Sequence, residues 1–175
     1  KDFNTKWRNT MAIYRSNDTV LTLGYFTEGK KAFIPLIRSS KIKQVAGKQT
    51  IWTTSTWRIP NTHPGSRDDL SKIAKRDYLR KTGFSIKEIK PVATREKKSK
   101  KLSFGKCYQN CFLGQILPDS SENFIGPRKE DDPIVQIFTL EEILWSIRTG
   151  DLLLDYPVFP PHREIIMKMI SSHAV

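Results

Sequence analysis

Residues 62–84 of the chain read THPGSRDDLSKIAKRDYLRKTGF. Apolar residues in this stretch recur three and four positions apart, which is the spacing of one face of an α-helix. They are Leu70, Ile73, Ala74, Tyr78 and Leu79. Gly83 follows them, and glycine commonly ends a helix because it adopts the left-handed conformation without strain. The stretch therefore predicts a helix over about residues 68–82.

Charged residues on this predicted helix form a specific pattern. Asp77, Arg80 and Lys81 stand at i, i+3 and i+4, so their side chains share one face. That face holds one carboxylate beside two cations. Asp68 and Asp69 fall in the first turn, where capping and the helix dipole favour acidic side chains whatever the function.

Extended runs surround the predicted helix on both sides. Alternating and β-branched residues predict strands before it and after it, with a basic loop at 95–101 between two of the later ones. The predicted strands cover residues 11–14, 20–26, 32–37, 50–59, 84–93, 102–117 and 134–138. Residues 119–133, rich in acidic residues, Pro and Gly, predict a loop.

Two further helices are predicted near the end of the chain. Thr139 followed by Glu142 has the spacing of a capping box, so a helix is expected from there to Arg148. A final amphipathic stretch covers residues 163–171. We expect one α/β domain with a mixed sheet over residues 1–155, with residues 156–175 forming a C-terminal helix packed on it.

The stretch 62–84 resembles a degenerate Nudix box. That signature is a glycine, a glutamate six residues later, and then Arg-Glu-U-x-Glu-Glu-x-Gly-U after seven more, where U is aliphatic. Arg76, Gly83 and Phe84 match it. Thr62 stands at the first glycine and Asp68 at the first glutamate, and the later glutamate positions hold Asp77, Arg80 and Lys81.

Segments outside the box extend the resemblance to the ADP-ribose pyrophosphatase-like members of the family. A Trp-bearing strand and Pro60 precede the box, and FTLEEI with TGD at 138–151 resembles their closing strand and helix. The resemblance implies a Nudix-like α/β/α sandwich with a mixed sheet.

The resemblance also implies a chemistry that the residues oppose. Nudix enzymes cleave a phosphoanhydride with Mg²⁺ held by helix carboxylates, because a hard divalent cation prefers several oxygen ligands. Two fixed cations about 5–6 Å from the one carboxylate disfavour such an ion. We therefore expect a catalytically degenerate protein that needs no cofactor and binds no metal.

Basic residues are concentrated in the first two thirds of the chain. The net charge is +12, but residues 1–118 carry 25 basic and 8 acidic residues (+17), whereas residues 119–155 carry 3 and 9 (−6). This asymmetry predicts a polyanionic partner. The candidate phosphate contacts are Arg58, Arg76, Arg80, Lys81, Arg95, Lys97, Lys98, Lys100 and Lys101.

Two tryptophans near the predicted helix are candidates for stacking on a base. Trp52 and Trp57 are five residues apart on an extended run, so they point to opposite faces and at most one faces the site. Core packing is the alternative for both. His63 is the one histidine near the box, and a structural role competes there with that of a general base.

Several classes of protein are disfavoured by the sequence. No apolar run approaches the roughly 18 residues of a membrane-spanning helix. Cys107 and Cys111 would lie about 13 Å apart on an extended strand, too far for a disulfide. With no secretory pattern at Lys1, we expect reduced thiols in an intracellular protein, cytoplasmic or organellar.

Three functions remain open from the sequence. The first is a non-hydrolysing Nudix-fold module that binds RNA or sits in a ribonucleoprotein. The second is a Mg²⁺-dependent hydrolase of a nucleoside diphosphate derivative such as ADP-ribose, with Asp77, Asp68, Asp69 or the acidic residues 130–132 as ligands. The third is a regulator that binds a nucleotide without cleaving it.

Overall fold

Eight strands and three helices lie in the part of the chain that the computed structural model describes, namely residues 18–64, 69–97, 107–117 and 132–173. The strands are β1 (Thr19–Glu28), β2 (Lys31–Arg38), β3 (Ser40–Val45), β4 (Lys48–Thr53), β5 (Asn61–Thr62), β6 (Ile86–Lys97), β7 (Cys107–Ile116) and β8 (Ile134–Thr139). The helices are α1 (Leu70–Thr82), α2 (Leu140–Thr149) and α3 (Pro160–His173).

A mixed sheet forms the centre of the fold. Its strands run in the order β6-β7-β1-β2-β8, and β5 adds to β1 beside them. The β1–β7 pair is parallel and the other pairs are antiparallel. β1 shares one edge between two partners, because Val20 and Leu21 pair with β5 while residues 26–28 pair with β2. This division places β5, just before α1, at the start of β1.

Helices cover both faces of the sheet. Leu21 and Leu23 of β1 belong to the larger core, which also contains Ile143 of α2 and Ile166 of α3. On the opposite face, Val20 packs in a smaller core with residues of α1 and β7. Successive strand residues point to opposite faces, so β1 contributes to both cores. The result is the α/β/α sandwich with a mixed sheet that the sequence predicted.

Local sequence signals explain where the first two helices begin and end. The Asp69 carboxylate caps α1 by accepting the Ser71 N–H at 2.9 Å, and Gly83 ends α1 at φ 80°. Thr139 and Glu142 cap α2 reciprocally, as their spacing predicted, and Gly150 ends it at φ 79°. α3 is longer than the predicted 163–171 and starts at Pro160, a residue favoured in the first turn of a helix.

The predicted strand over residues 50–59 is confirmed over residues 50–53, which belong to β4, and is wrong beyond Thr53. β4 forms a hairpin with β3, joined by a turn in which Ala46 and Gly47 have φ values of 50° and 77°. The chain leaves β4 after Thr53, and only isolated bridges at Trp57 and Arg58 follow. The predicted strand at 11–14 and most of the predicted loop at 119–133 lie outside the described residues. Cys107 and Cys111 are both buried and do not form a disulfide.

Candidate functional site

Helix α1 presents one buried face and one cationic face. Ile73, Ala74 and Tyr78 are buried against the sheet. The opposite side exposes Lys72, Arg76 and Arg80, which are spaced four residues apart and so form one stripe along the helix. At 1.5 Å per residue the stripe spans about 12 Å. This surface, the α1 stripe, is positively charged along its whole length.

Asp77 is enclosed by the two cations that the spacing places beside it. Arg80 donates to Oδ1 through Nη2 at 2.7 Å and through Nε at 3.3 Å. Lys81 Nζ lies 3.0 Å from Oδ2. The Asp77 side chain is 13% exposed, so both of its oxygens are occupied in a largely buried position.

Lys81 also connects α1 to the neighbouring strand. Its ammonium donates to the backbone carbonyl of Asn61 in β5. Because Asn61 pairs with Leu21, this contact fixes the last turn of α1 to the edge of the central sheet. Sequence reasoning missed Asn61, since a backbone carbonyl carries no residue-type signal.

These residues do not fit a divalent cation. Such an ion prefers several oxygen ligands. Both oxygens of Asp77 instead contact cationic groups. No group of three or more His, Cys, Asp or Glu side chains suited to a metal occurs within the described ranges. Asp132 is described and has an interaction of its own, whereas Asp68, Glu130 and Asp131 lie outside the described residues.

The Asp69 carboxylate has a structural role in the same region. Its hydrogen bonds with the Ser71 N–H and hydroxyl group hold the pKa of Asp69 below its usual range. The carboxylate therefore stays ionised as the cap of α1. His63 Nδ1 lies 3.0 Å from the carbonyl oxygen of Asp18, across from the start of β1.

Two of the other predicted phosphate contacts are already paired with protein groups. The Arg58 guanidinium lies 4.0 Å from the centre of the Phe159 ring, and its Nε donates to Thr56 Oγ1. Arg95 forms a two-bond ion pair with Glu164 of α3, at 2.8 and 3.2 Å. Neither residue joins the α1 stripe. Lys98, Lys100 and Lys101 lie outside the described residues, and Lys97 is described only as part of β6.

Trp57 is a core residue, and its prediction as a base-stacking side chain is wrong. It is 2% exposed, packs edge-on against Phe138 and donates from Nε1 to the carbonyl of Leu153 at 2.9 Å. A base would have to displace this packing to reach the ring. Trp52 lies in β4, and the structure describes only its backbone.

A cavity that the sequence did not predict lies away from α1. It has a volume of about 420 Å³ and lies between the β1–β2 turn and the start of α2. Its lining includes Lys30, Lys31 and Glu141. The cavity is separate from α1, and its charges are mixed.

Several solved structures have the same architecture as this chain. The Nudix domain of Shewanella oneidensis NrtR, in a complex with ADP-ribose, is 12% identical to this chain and aligns over 98% of this chain and 99% of its own, with a TM-score of 0.58. The chain has the Nudix fold. A mutT/Nudix family protein from Listeria innocua is 14% identical, with 90% of this chain and 94% of that chain covered and a TM-score of 0.56.

The Nudix fold also occurs in a longer solved structure. NrtR of Shewanella oneidensis in a complex with a 27mer DNA is 13% identical and has a TM-score of 0.58, with 89% of this chain and 61% of that chain covered. No protein-family model and no curated protein matches the sequence. The alignment of residues 62–84 with the Nudix box remains a prediction. In the described part of the chain, no helix has the length and hydrophobicity needed to span a bilayer.

Proposed function

We propose that this chain is a non-hydrolysing Nudix-fold module that binds RNA, alone or within a ribonucleoprotein. The observation that carries the proposal is the pairing of Asp77 with Arg80 and Lys81, at 2.7 and 3.0 Å. This pairing removes the carboxylate from metal binding and leaves a net positive charge on that face of α1. The same substitutions that disfavour hydrolysis thus favour phosphate binding.

The α1 stripe extends this positive charge over about two turns of the helix. Lys72, Arg76 and Arg80 are exposed, and Lys75 reaches β6 by donating to the carbonyl of Lys87 at 2.9 Å. Among the described residues 69–82, the acidic side chains are Asp77, which is paired, and Asp69, which caps the helix. Contacts to phosphates from such a surface depend little on base sequence and weaken steeply with salt.

Fluorescence anisotropy with a labelled single-stranded RNA tests the proposal. We expect the logarithm of the binding constant to fall linearly with the logarithm of salt concentration, with a slope of about −0.7 for each phosphate contact. Lys72→Gln with Arg76→Gln removes two charges from the α1 stripe and is expected to flatten the slope by about 1.4. The matched control is Lys30→Gln with Lys48→Gln, which removes two exposed lysines outside α1.

The comparison of the two double variants decides the outcome. Equal losses of RNA affinity in both double variants would mean that total charge, and not the α1 stripe, governs binding. An absence of binding at low salt, or binding that ignores salt, would contradict the proposal. A DNA strand of the same sequence, measured in parallel, separates a preference for RNA from general binding of single strands.

A second candidate is a nucleotide-sensing role without hydrolysis. It is supported by the ADP-ribose complex of the Nudix domain of NrtR, which has the same fold. If this chain binds such a ligand, ADP-ribose will raise its melting temperature without being consumed. An unchanged melting temperature at millimolar ADP-ribose would exclude this candidate and leave the RNA proposal intact.

A further inference from the structure

Lys81 and Arg80 contact the Asp77 carboxylate from two sides, and the two cations differ in how exposed they are. The Lys81 side chain is 18% exposed and that of Arg80 is 70% exposed. Lys81 Nζ contacts Asp77 Oδ2 and the carbonyl oxygen of Asn61, so it joins two oxygen atoms from two different elements. Arg80 contacts the remaining oxygen, Oδ1, from the solvent side.

The oxygen atoms around Lys81 are of the kind that a hard cation prefers. A carboxylate oxygen and a backbone carbonyl oxygen are ordinary ligands of Mg²⁺ and related ions. Here both contact the Lys81 ammonium group, which is a compact point charge with three donors. Together the two side chains bring a charge of +2 to one carboxylate, which equals the charge of one divalent ion.

We propose that Arg80 and Lys81 together replace a divalent cation at the end of α1. Lys81 joins α1 to β5 through two oxygen atoms of the kind that a hard cation prefers, and Arg80 contacts the other oxygen of Asp77, so the three side chains keep a net charge of +1. The protein therefore holds this end of α1 in place without any metal. This inference concerns the cation alone and does not depend on whether the ligand is RNA or a nucleotide.

Exchanging the two cations for carboxylates tests the proposal directly. Arg80→Glu with Lys81→Glu places three carboxylates at i, i+3 and i+4 on one helix face, close to the Asn61 carbonyl. The control is Arg80→Gln with Lys81→Gln, which removes the cations without adding oxygen anions. Mn²⁺ binding is measured by the loss of the free-ion signal in electron paramagnetic resonance, and melting temperatures are compared in EDTA and in millimolar Mg²⁺.

We expect no Mn²⁺ binding by the wild-type protein and an equal melting temperature in EDTA and in Mg²⁺. The glutamate variant is expected to bind Mn²⁺ at least ten times more tightly than the glutamine variant and to gain about 3 °C or more with Mg²⁺. The proposal would be overturned if the wild-type protein bound Mn²⁺ and the Asp77→Asn variant did not. A folded glutamate variant that binds no more tightly than the control would also overturn it.

A single substitution covers the case in which the glutamate variant does not fold. Lys81→Gln keeps Asp77, Arg80 and the Asn61 carbonyl but removes the bridging ammonium. We expect its melting temperature to fall below that of the wild type in EDTA and to recover in part with Mg²⁺. The control variant Lys48→Gln is expected to keep the same melting temperature in EDTA and in Mg²⁺. A drop without any recovery would show that Lys81 is a structural donor and not a substitute for an ion. RNA binding is measured separately, so a protein that fails to bind RNA does not change the conclusion about the metal.

Discussion

The ring of Tyr78 lies directly on the backbone of Gly24, so that a β-carbon added to Gly24 would stand 2.2 Å from the phenolic oxygen and 2.4 Å from its ring carbon. Tyr78 is on α1 and Gly24 is in the middle of β1. This contact sets how closely α1 approaches the sheet, and therefore where Asp77 and Lys81 lie relative to β5.

Gly24→Ala is expected to destabilise the protein by about 1–3 kcal/mol or more, because the added methyl group overlaps the aromatic ring. Urea denaturation measures the loss. In a Tyr78→Leu background the same substitution should cost at least about 1 kcal/mol less. Gly29→Ala is the control, since Gly29 has φ 60° and nothing within 4 Å of an added β-carbon. The free energy lost by Gly29→Ala should be the same in the wild-type and Tyr78→Leu backgrounds. If Tyr78→Leu changed the cost of both glycine substitutions equally, the contact between Tyr78 and Gly24 would be refuted.

Tyr78→Phe is expected to change stability at neutral pH by no more than about 0.5 kcal/mol, or to increase it. The Tyr78 hydroxyl is buried and has no hydrogen-bond partner of good geometry among the described residues. Removing an unsatisfied buried hydroxyl leaves no protein group unpaired. A loss of more than about 2 kcal/mol in urea denaturation would show that the hydroxyl is bonded after all.

The same variant gives a prediction about alkaline pH. Burial raises the pKa of Tyr78 well above its ordinary value of 10.0. The folded state therefore keeps the proton where the unfolded chain releases it, so this contribution to stability is complete below pH 10 and is lost as the pH rises further. Wild-type protein should lose more melting temperature than Tyr78→Phe between pH 9 and about 11. If the melting temperatures of the two proteins fell in parallel with pH, the raised pKa of Tyr78 would be contradicted.

His162 is expected to stabilise the fold through an acceptor that joins α3 to the segment before β5. It is 3% exposed, and its Nδ1 accepts the backbone N–H of the buried residue Ile59 at 3.0 Å. His162→Leu leaves that N–H without its partner and is expected to cost about 1–3 kcal/mol more than His162→Asn, whose side-chain oxygen replaces the acceptor. Equal losses for the two variants in denaturant would mean that packing alone explains the histidine.

Wild-type protein is expected to release no AMP from ADP-ribose with Mg²⁺ or Mn²⁺, because both oxygens of Asp77 are bound to cations. Product separation by chromatography after long incubation provides the measurement. Asp77→Ala serves as the matched control for a contaminating hydrolase. Turnover that depends on the metal and disappears in Asp77→Ala would establish the hydrolase and reject the non-hydrolysing assignment.

The sequence by itself determined the helices and the charges of the site. The spacing of Leu70, Ile73 and Tyr78 predicted α1, and Gly83 and the Thr139–Glu142 pair predicted where helices end and begin. The i, i+3, i+4 spacing also predicted that Asp77 lies beside Arg80 and Lys81. These features depend on interactions over four residues or fewer, which a local pattern records.

Only the tertiary structure decided which groups meet across the chain. The contact of Lys81 with the Asn61 carbonyl, the close approach of Tyr78 to Gly24 and the burial of Trp57 each join elements far apart in sequence. An alternating pattern shows that a strand has two faces but not which helix covers each one. Close packing selects those partners, because only the folded arrangement fills the space between the sheet and the helices.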